Sequence, residues 1–193
     1  MIVDRGRLFY MSVLTLFGLS AMGILFIYFI QHRDVLYVLT AGGKPFLQVI
    51  TGIFYGSFCA LLAILLIKAK PFVGLKSFFT DLVTDINPNF AEIVLYSASA
   101  GIGEEVLFRA GLQPLMGIWP TSILFVALHG YIGPKNIKLS IYGLFLIIVS
   151  AGLGYLFKFV GLYAAMVAHF IYDLTMFCLL RYAPQFTIKF QKN

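Results

Sequence analysis

Apolar runs separated by short polar segments dominate the chain and predict a bundle of membrane-spanning helices. A span needs about 20 predominantly apolar residues to cross a hydrocarbon core of about 30 Å. The first run, residues 8–30, contains no charge and is too long for a signal-peptide core of about 7–15 residues. We therefore predict an uncleaved first helix and six spans in all: residues 8–30, 46–67, 90–117, 120–130, 137–157 and 162–180.

One segment between the second and third spans has a different pattern. In residues 71–86 the apolar side chains fall on one helical face, and Lys76, Asp81 and Asp85 fall elsewhere. This pattern is typical of an amphipathic helix at the membrane interface. The predicted fold class is therefore all-α: a polytopic membrane helical bundle with about six transmembrane helices plus one interfacial amphipathic helix. We expect residues 1–193 to form a single integral membrane domain.

Composition excludes most soluble classes of protein. Hydrophobic residues make up 61% of the chain and charged residues only 11%, whereas soluble domains carry about a quarter charged residues. Soluble enzymes, nucleic-acid binders and disordered chains are thereby set aside. The net charge is +6, but the basic residues are spread singly over the loops, which suits anionic lipid headgroups. Cys59 and Cys178 lie in apolar runs and are expected to be core residues.

The basic residues also predict an orientation. We call the side that holds both chain termini the terminal side. It carries ten of the 14 Lys and Arg residues, the opposite side carries three, and Arg109 lies within a span. The positive-inside rule makes the terminal side cytoplasmic.

Ionisable side chains inside the predicted spans are the main functional signal. Such groups typically cost a few kcal/mol each at membrane depth and by default mark a functional site. They fall at helical spacings on three spans: Glu104, Glu105, Arg109, His129, His169 and Asp173.

The third span carries two adjacent carboxylates and an arginine. Glu105 and Arg109 are four residues apart, so they share a helical face and can form an ion pair. Glu104 is rotated by about 100° from Glu105 and can point into a cavity, where it would be available as a general base. The alternative is structural: the ion pair locks two helices, and Glu104 only accepts hydrogen bonds.

On each of two other spans, a histidine has an aromatic or acidic partner one helical turn away. Phe125 and His129 lie on the fourth span, and His169 and Asp173 lie on the sixth. Each pair alone could be a packing or hydrogen-bonding contact between helices. At 1.5 Å per residue, however, Glu104, His129 and His169 all lie about 10–13 Å from the side opposite the termini. We therefore predict one shared polar cavity, and which side of the membrane it faces stays open.

Taken in order, these residues resemble the CPBP/Abi family of intramembrane glutamic endopeptidases, which includes type II CAAX prenyl endopeptidases and bacteriocin-processing enzymes. The family patterns are E-E-x-x-x-R, F-x-x-x-H, and H-x-x-x-N or H-x-x-x-D. Residues 104–109, 125–129 and 169–173 match them. The resemblance covers a motif-bearing core of about residues 90–180, and the first two spans carry no motif.

The resemblance implies a role for each matching position. Glu104 and His129 would activate a water, and His169 with Asp173 would stabilise the oxyanion. The supporting residues Glu105, Arg109 and Phe125 would hold the geometry. Asp173 stands where one form of the family pattern has asparagine. This difference matters because an oxyanion needs a hydrogen-bond donor and an ionised aspartate has none. Either Asp173 is protonated, or it orients His169.

The resemblance implies an intramembrane protease that hydrolyses a peptide bond in a peptide or membrane-associated protein. The alternatives are a membrane transporter or proton-coupled channel, and a catalytically silent immunity or scaffold protein of the same family. No cofactor is expected, although two histidines with two acids leave zinc as the alternative. We expect a multi-pass protein of a prokaryotic cytoplasmic membrane, with a peptide substrate and membrane lipids as its partners.

Overall fold

The computed structural model describes residues 5–134 and 136–183, except for the side chains of residues 73 and 76–78 in one helix. The sequence predicts a polar tail at residues 181–193, and residues 184–193 of it lie outside the described part of the chain. The described part of the chain contains no β-strand. An isolated antiparallel bridge joins Gly42 to Gly161 at the side opposite the termini.

The described residues form eight helices and one 3₁₀ turn, Lys70–Phe72. Four of these helices are long and apolar enough to cross a membrane: Arg5–Ile30, Pro45–Lys68, Ile137–Phe159 and Leu162–Tyr182. This confirms the prediction of a polytopic helical membrane bundle. The bounds are α1 Arg5–Ile30, α2 Val35–Thr40, α3 Pro45–Lys68, α4 Val73–Ile86, α5 residues 90–116, α6 Ile118–Leu128, α7 Ile137–Phe159 and α8 Leu162–Tyr182.

Helix α5 is not a regular α-helix throughout. Its first part, Phe90–Glu105, is α-helical, and Val106–Leu112 is π-helical. Such wider turns are rare, and α1 contains two more of them, Leu14–Leu19 and Phe26–Ile30, neither of which lines the cavity described below. The Gln31 side-chain amide, just after α1, donates to the backbone oxygens of Ala110 and Gly111, each at 2.8 Å. The end of α1 therefore holds the π-helical segment in place.

The amphipathic helix predicted at residues 71–86 is present as α4. Its apolar side chains Leu75, Val83 and Ile86 are buried against the bundle. The apolar face therefore packs largely on protein rather than on lipid. Asn87 ends the helix in a left-handed conformation with φ 49°.

The loop expected between the first two spans contains a short helix, α2. The Asp34 side chain caps it by accepting a hydrogen bond from the Tyr37 backbone N–H at 2.6 Å. An aspartate directly before an apolar run is an N-cap signal. The sequence predicted a loop here, and six residues of that loop form a helix instead.

Close approach between helices depends on small residues. A Cβ atom at Gly56 of α3 would lie 2.3 Å from the backbone oxygen of Ala168 on α8. A Cβ atom at Gly103 of α5 would lie 2.1 Å from the backbone oxygen of Thr15 on α1. Small interface residues let membrane helices pack backbone to backbone. The first contact brings α3 against α8, which carries His169 and Asp173, and the second packs α5, which carries Glu104 and Glu105, on α1.

Candidate active site

One cavity of about 310 Å³ lies among helices α3 to α8. Ionisable side chains from α5, α8 and the end of α6 line one part of it: Glu104, His129, His169 and Asp173. Apolar and aromatic side chains line the rest, among them Phe79, Leu82, Tyr142, Leu146, Met176 and Leu180. All four candidate catalytic residues therefore meet in a single, mostly apolar cavity.

Glu104 lies between the two imidazole rings. Its Oε2 atom is 3.6 Å from His129 Nε2 and 3.9 Å from His169 Nε2. This oxygen is buried and makes no hydrogen bond to any described residue. Both distances exceed a direct hydrogen bond, and such a spacing suits a water that bridges the polar atoms.

His129 is the first residue after helix α6 and has φ −78° and ψ −3°. It therefore lies beyond the helical turn in which the sequence placed it. Its Nδ1 atom is 2.7 Å from the Phe125 backbone oxygen. Because a carbonyl only accepts hydrogen bonds, Nδ1 carries the proton. In the neutral ring Nε2 is then an acceptor, and it is the atom nearest Glu104.

Glu105 and Arg109 form the predicted ion pair at the centre of the bundle. Arg109 Nε donates to Glu105 Oε2 at 2.9 Å, and both side chains are 0% exposed. Arg109 Nη2 also donates to the Ser150 hydroxyl on α7 at 2.8 Å. Ser150 was missed from the sequence. Its one signal is a hydroxyl within an apolar span.

His169 is oriented by Glu105. Its Nδ1 atom lies 2.9 Å from Glu105 Oε1. A carboxylate paired with Arg109 accepts hydrogen bonds, so Nδ1 donates. Asp173 instead approaches the other ring nitrogen, with Oδ2 3.5 Å from Nε2. A hydrogen-bonded chain therefore runs from Arg109 through Glu105 to His169.

Phe125 separates the two histidines. Its ring centroid is 4.5 Å from that of His129 and 5.9 Å from that of His169. Phe108 packs edge-on against the Phe125 ring, with the centroids 5.0 Å apart, and the Arg109 guanidinium lies 5.5 Å from the Phe125 centroid. Phe125 thus spaces the two imidazoles and covers the buried ion pair.

Three tyrosines of the cavity wall were also missed from the sequence. The Tyr142 and Tyr172 hydroxyls, on α7 and α8, lie 2.9 Å apart. The Tyr131 ring lies nearly parallel to the His129 ring, with centroids 6.3 Å apart and an interplanar angle of 15°. Tyrosines in apolar spans are common, so the sequence carries no signal that these three meet.

The cavity extends toward the terminal side. Phe79, Leu82 and Val83 of α4 line it, and α4 joins the terminal-side ends of α3 and α5. The cavity therefore extends toward the side that the positive-inside rule makes cytoplasmic. The expectation that the polar cluster lies about 10–13 Å from the opposite side stays a prediction.

Whether the site can hold a metal ion depends on which side-chain atoms are available as ligands. Within residues 5–134 and 136–183, no three His, Cys, Asp or Glu side chains are arranged to hold a metal. The Nδ1–H groups of His129 and His169 donate to Phe125 and Glu105, which leaves both Nε2 atoms free of these two bonds; histidines that bind metals commonly have their other N–H held in this way. The expectation that no metal is bound stays a prediction.

Comparisons with known proteins agree on one family. The family model described as type II CAAX prenyl endopeptidase Rce1-like matches residues 86–175, which include every candidate site residue. The uncharacterized protein YpbD of Bacillus subtilis (strain 168) is 30% identical over 182 residues, covering 89% of this chain and 87% of YpbD. The sporulation-killing factor biosynthesis protein SkfC of the same organism is 28% identical over 171 residues, covering 79% of this chain and 33% of SkfC. No solved structure matches the chain.

Proposed function

The chain belongs to the CPBP family of Rce1-like type II CAAX prenyl endopeptidases, and we propose that it is an intramembrane endopeptidase. One observation carries the proposal: Glu104 Oε2 lies 3.6 Å from the acceptor nitrogen of His129 inside a mostly apolar cavity. Two acceptors at this spacing can share the protons of one water and direct its lone pair at a carbonyl carbon.

The proposed reaction is hydrolysis of a peptide bond without a covalent intermediate. The water oxygen forms a bond to the carbonyl carbon while Glu104, assisted by His129, takes one water proton. The π electron pair of the carbonyl moves to its oxygen and forms an oxyanion. When the oxyanion collapses, the C–N bond breaks and Glu104 returns its proton to the leaving amine.

The supporting residues act by fixing this geometry. The Arg109–Glu105 pair is fully buried, and Glu105 holds His169 at 2.9 Å. A preorganised polar site inside an apolar cavity stabilises developing charge more strongly than water does. We propose that no metal takes part and that His169 and Asp173 face the carbonyl oxygen.

The relatives and the composition support a substrate class and a location for this chain. SkfC is named for the biosynthesis of a sporulation-killing factor, which supports a peptide precursor as the substrate of this chain. The apolar part of the cavity suits a substrate segment that enters from the membrane. We propose six passes through a prokaryotic cytoplasmic membrane, with α5 and α6 as the third and fourth.

The test compares Glu104→Gln with wild type on purified protein and a panel of membrane-associated peptides. Gln keeps the shape of the side chain but cannot take a proton, so the hydrolysis rate should fall by about 10²–10⁴. The matched control is Asp81→Asn, which neutralises an exposed carboxylate of α4. His129→Gln should also lose activity, whereas His32→Gln, in an exposed position outside the cavity, should not.

Each alternative function predicts a different result. A proton-coupled transporter would move a solute or protons into liposomes and would release no peptide fragments. A silent immunity or scaffold protein would cleave nothing, and Glu104→Gln would match wild type in every assay. Full hydrolytic activity in Glu104→Gln would disprove the proposed base.

A further inference from the structure

His129 is the most exposed of the four candidate catalytic side chains. Its side chain is 37% exposed, whereas that of His169 is 9% exposed. Because it follows the last residue of α6, its backbone N–H makes only a long contact of 3.4 Å with the Phe125 oxygen. The next residue, Gly130, has φ 76° and leaves the helix. Neither burial nor a regular helical turn therefore fixes the imidazole.

The hydrogen bond of the imidazole does not fix it completely either. His129 Nδ1 lies 2.7 Å from the Phe125 backbone oxygen. The ring can still turn about this bond, because the χ2 torsion of histidine has broad preferences. Such a turn would move Nε2, which lies 3.6 Å from Glu104 Oε2. The proposed reaction needs both atoms on one water, so a further contact has to hold the plane of the ring.

Tyr131 presents a flat surface to the imidazole. The two rings are within 15° of parallel, and their centroids lie 6.3 Å apart. This spacing falls in the range of favourable contacts between aromatic rings. The Phe125 ring is closer, at 4.5 Å, but is inclined by 40° to the imidazole. A turn of the imidazole about its Nδ1 bond would break the parallel arrangement with Tyr131.

The backbone that carries Tyr131 is fixed to helix α7. A Cβ atom at Gly143 would lie 2.8 Å from the Tyr131 backbone oxygen and 3.2 Å from the Tyr131 Cβ. Two residues further on, the Ser140 hydroxyl donates to the Gly133 backbone oxygen at 2.7 Å and accepts from the Gly133 N–H at 3.1 Å. The connection between α6 and α7 therefore rests on α7 at both positions.

The Tyr131 ring is packed on two helices. Its centroid lies 5.9 Å from that of Tyr142 on α7 and 6.4 Å from that of Phe79 on α4. Phe79 and Tyr142 also contact each other, at 5.6 Å. The amphipathic helix α4 therefore reaches the imidazole of His129 through Tyr131.

We infer that Tyr131 is a positioning residue, whose ring holds the plane of the His129 imidazole so that Nε2 stays directed at Glu104. The inference rests on the proposed function, in which Glu104 and His129 act on one water. The contact is made by the aromatic ring, so the Tyr131 hydroxyl is not needed for it. The packing of α4 and α7 on Tyr131 thereby sets the geometry of the proposed base.

The kinetic test compares Tyr131→Leu with Tyr131→Phe on the peptides that wild type hydrolyses. Tyr131→Leu removes the flat ring, and kcat should fall by about 10–100-fold with little change in KM, because the base is misplaced. Tyr131→Phe keeps the ring and should keep wild-type kcat. The matched control is Phe145→Leu, which removes a ring that packs on Tyr142 in the same apolar cluster but lies outside the cavity lining. It should also keep wild-type kcat.

A second readout observes the imidazole itself and needs no hydrolysis. In protein labelled with ¹³C-histidine, the Cε1–H signal of His129 is assigned by its absence from the spectrum of His129→Gln. This signal should shift in Tyr131→Leu, because the ring current of the neighbouring ring is lost, and should broaden as the imidazole adopts more than one plane. It should stay in place in Tyr131→Phe and in Phe145→Leu.

The outcomes separate this inference from the proposed function. A raised KM at wild-type kcat in Tyr131→Leu would overturn the inference in favour of a substrate contact. An equal loss of kcat in Phe145→Leu, a loss in Tyr131→Phe, or an unmoved His129 signal in Tyr131→Leu would overturn it as well. If no form of the protein hydrolyses any peptide, the proposed function fails, and the histidine spectrum still decides whether Tyr131 holds the His129 ring.

Discussion

Substituting Arg109 by methionine tests whether the buried ion pair is structural. Met keeps much of the volume and the apolar stem but removes the charge. Glu105, which is 0% exposed, would then lose the partner that lies 2.9 Å away. The Ser150 hydroxyl would lose its charged donor as well.

The expected cost follows from these contacts. Breaking a buried pair by removing one partner typically costs about 3–5 kcal/mol, because an uncompensated charge stays buried. His169 still donates to Glu105 at 2.9 Å, so the lower end of that range is expected. For a chain of this length, 1 kcal/mol corresponds to roughly 2–4 °C in the melting temperature, so a cost of about 3 kcal/mol gives a decrease of about 6–12 °C.

The assay is thermal unfolding in detergent, run on the single variant and on Glu105→Gln/Arg109→Met. The double variant removes both charges, and Gln can still accept the His169 Nδ1–H. It should therefore recover most of the lost stability, since replacing both members of a buried pair is often nearly neutral. Arg33→Met, in an exposed loop, is the control and should melt as wild type does. A single variant with the wild-type melting temperature, or a double variant no better than the single, would refute the reasoning.

Three further predictions test the packing and the chemistry of the site. Gly103→Ala should destabilise the protein by at least about 1–3 kcal/mol, because its Cβ would lie 2.1 Å from the Thr15 backbone oxygen. The control Gly74→Ala, whose Cβ would have nothing within 4 Å, should be neutral or slightly stabilising. Equal melting temperatures for the two variants would contradict this prediction. Ser150→Ala should cost about 1.5–3 kcal/mol through its bond to a charged group, more than Ser12→Ala, whose hydroxyl donates to Leu8 within its own helix; the reverse order in thermal unfolding would count against it. Elemental analysis of active protein should show less than stoichiometric zinc, and activity that a chelator abolishes and one metal restores would overturn this expectation.

The helices could be predicted because their signals are local. Apolar runs of sufficient length marked the long spans, and one-sided apolar spacing marked α4. The i, i+4 spacing of Glu105 and Arg109 predicted their ion pair, since three to four residues separate neighbours on a helix surface. The short helix α2 was missed, although Asp34 carried a usable capping signal.

The partners of the site residues could not be predicted in the same way. The bond between Glu105 and His169 joins α5 to α8, and nothing in either helix specifies the other. The same is true of Ser150 on α7, which bonds Arg109. The π-helical segment Val106–Leu112 was also missed, and the Gln31 amide that bonds its backbone oxygens belongs to a distant part of the chain.

By itself the sequence determined a membrane bundle of apolar helices and a set of candidate catalytic residues, because hydrophobicity, helical period and motif spacing are properties of neighbouring residues. Only the tertiary structure decided which atoms meet. It directs Glu104 toward His129 and His169, assigns the orientation of His169 to Glu105 rather than Asp173, and brings Tyr142 to Tyr172. It also opens the cavity beneath α4, toward the terminal side. These contacts depend on how helices far apart in sequence pack and on where each begins in the membrane, which no local pattern records.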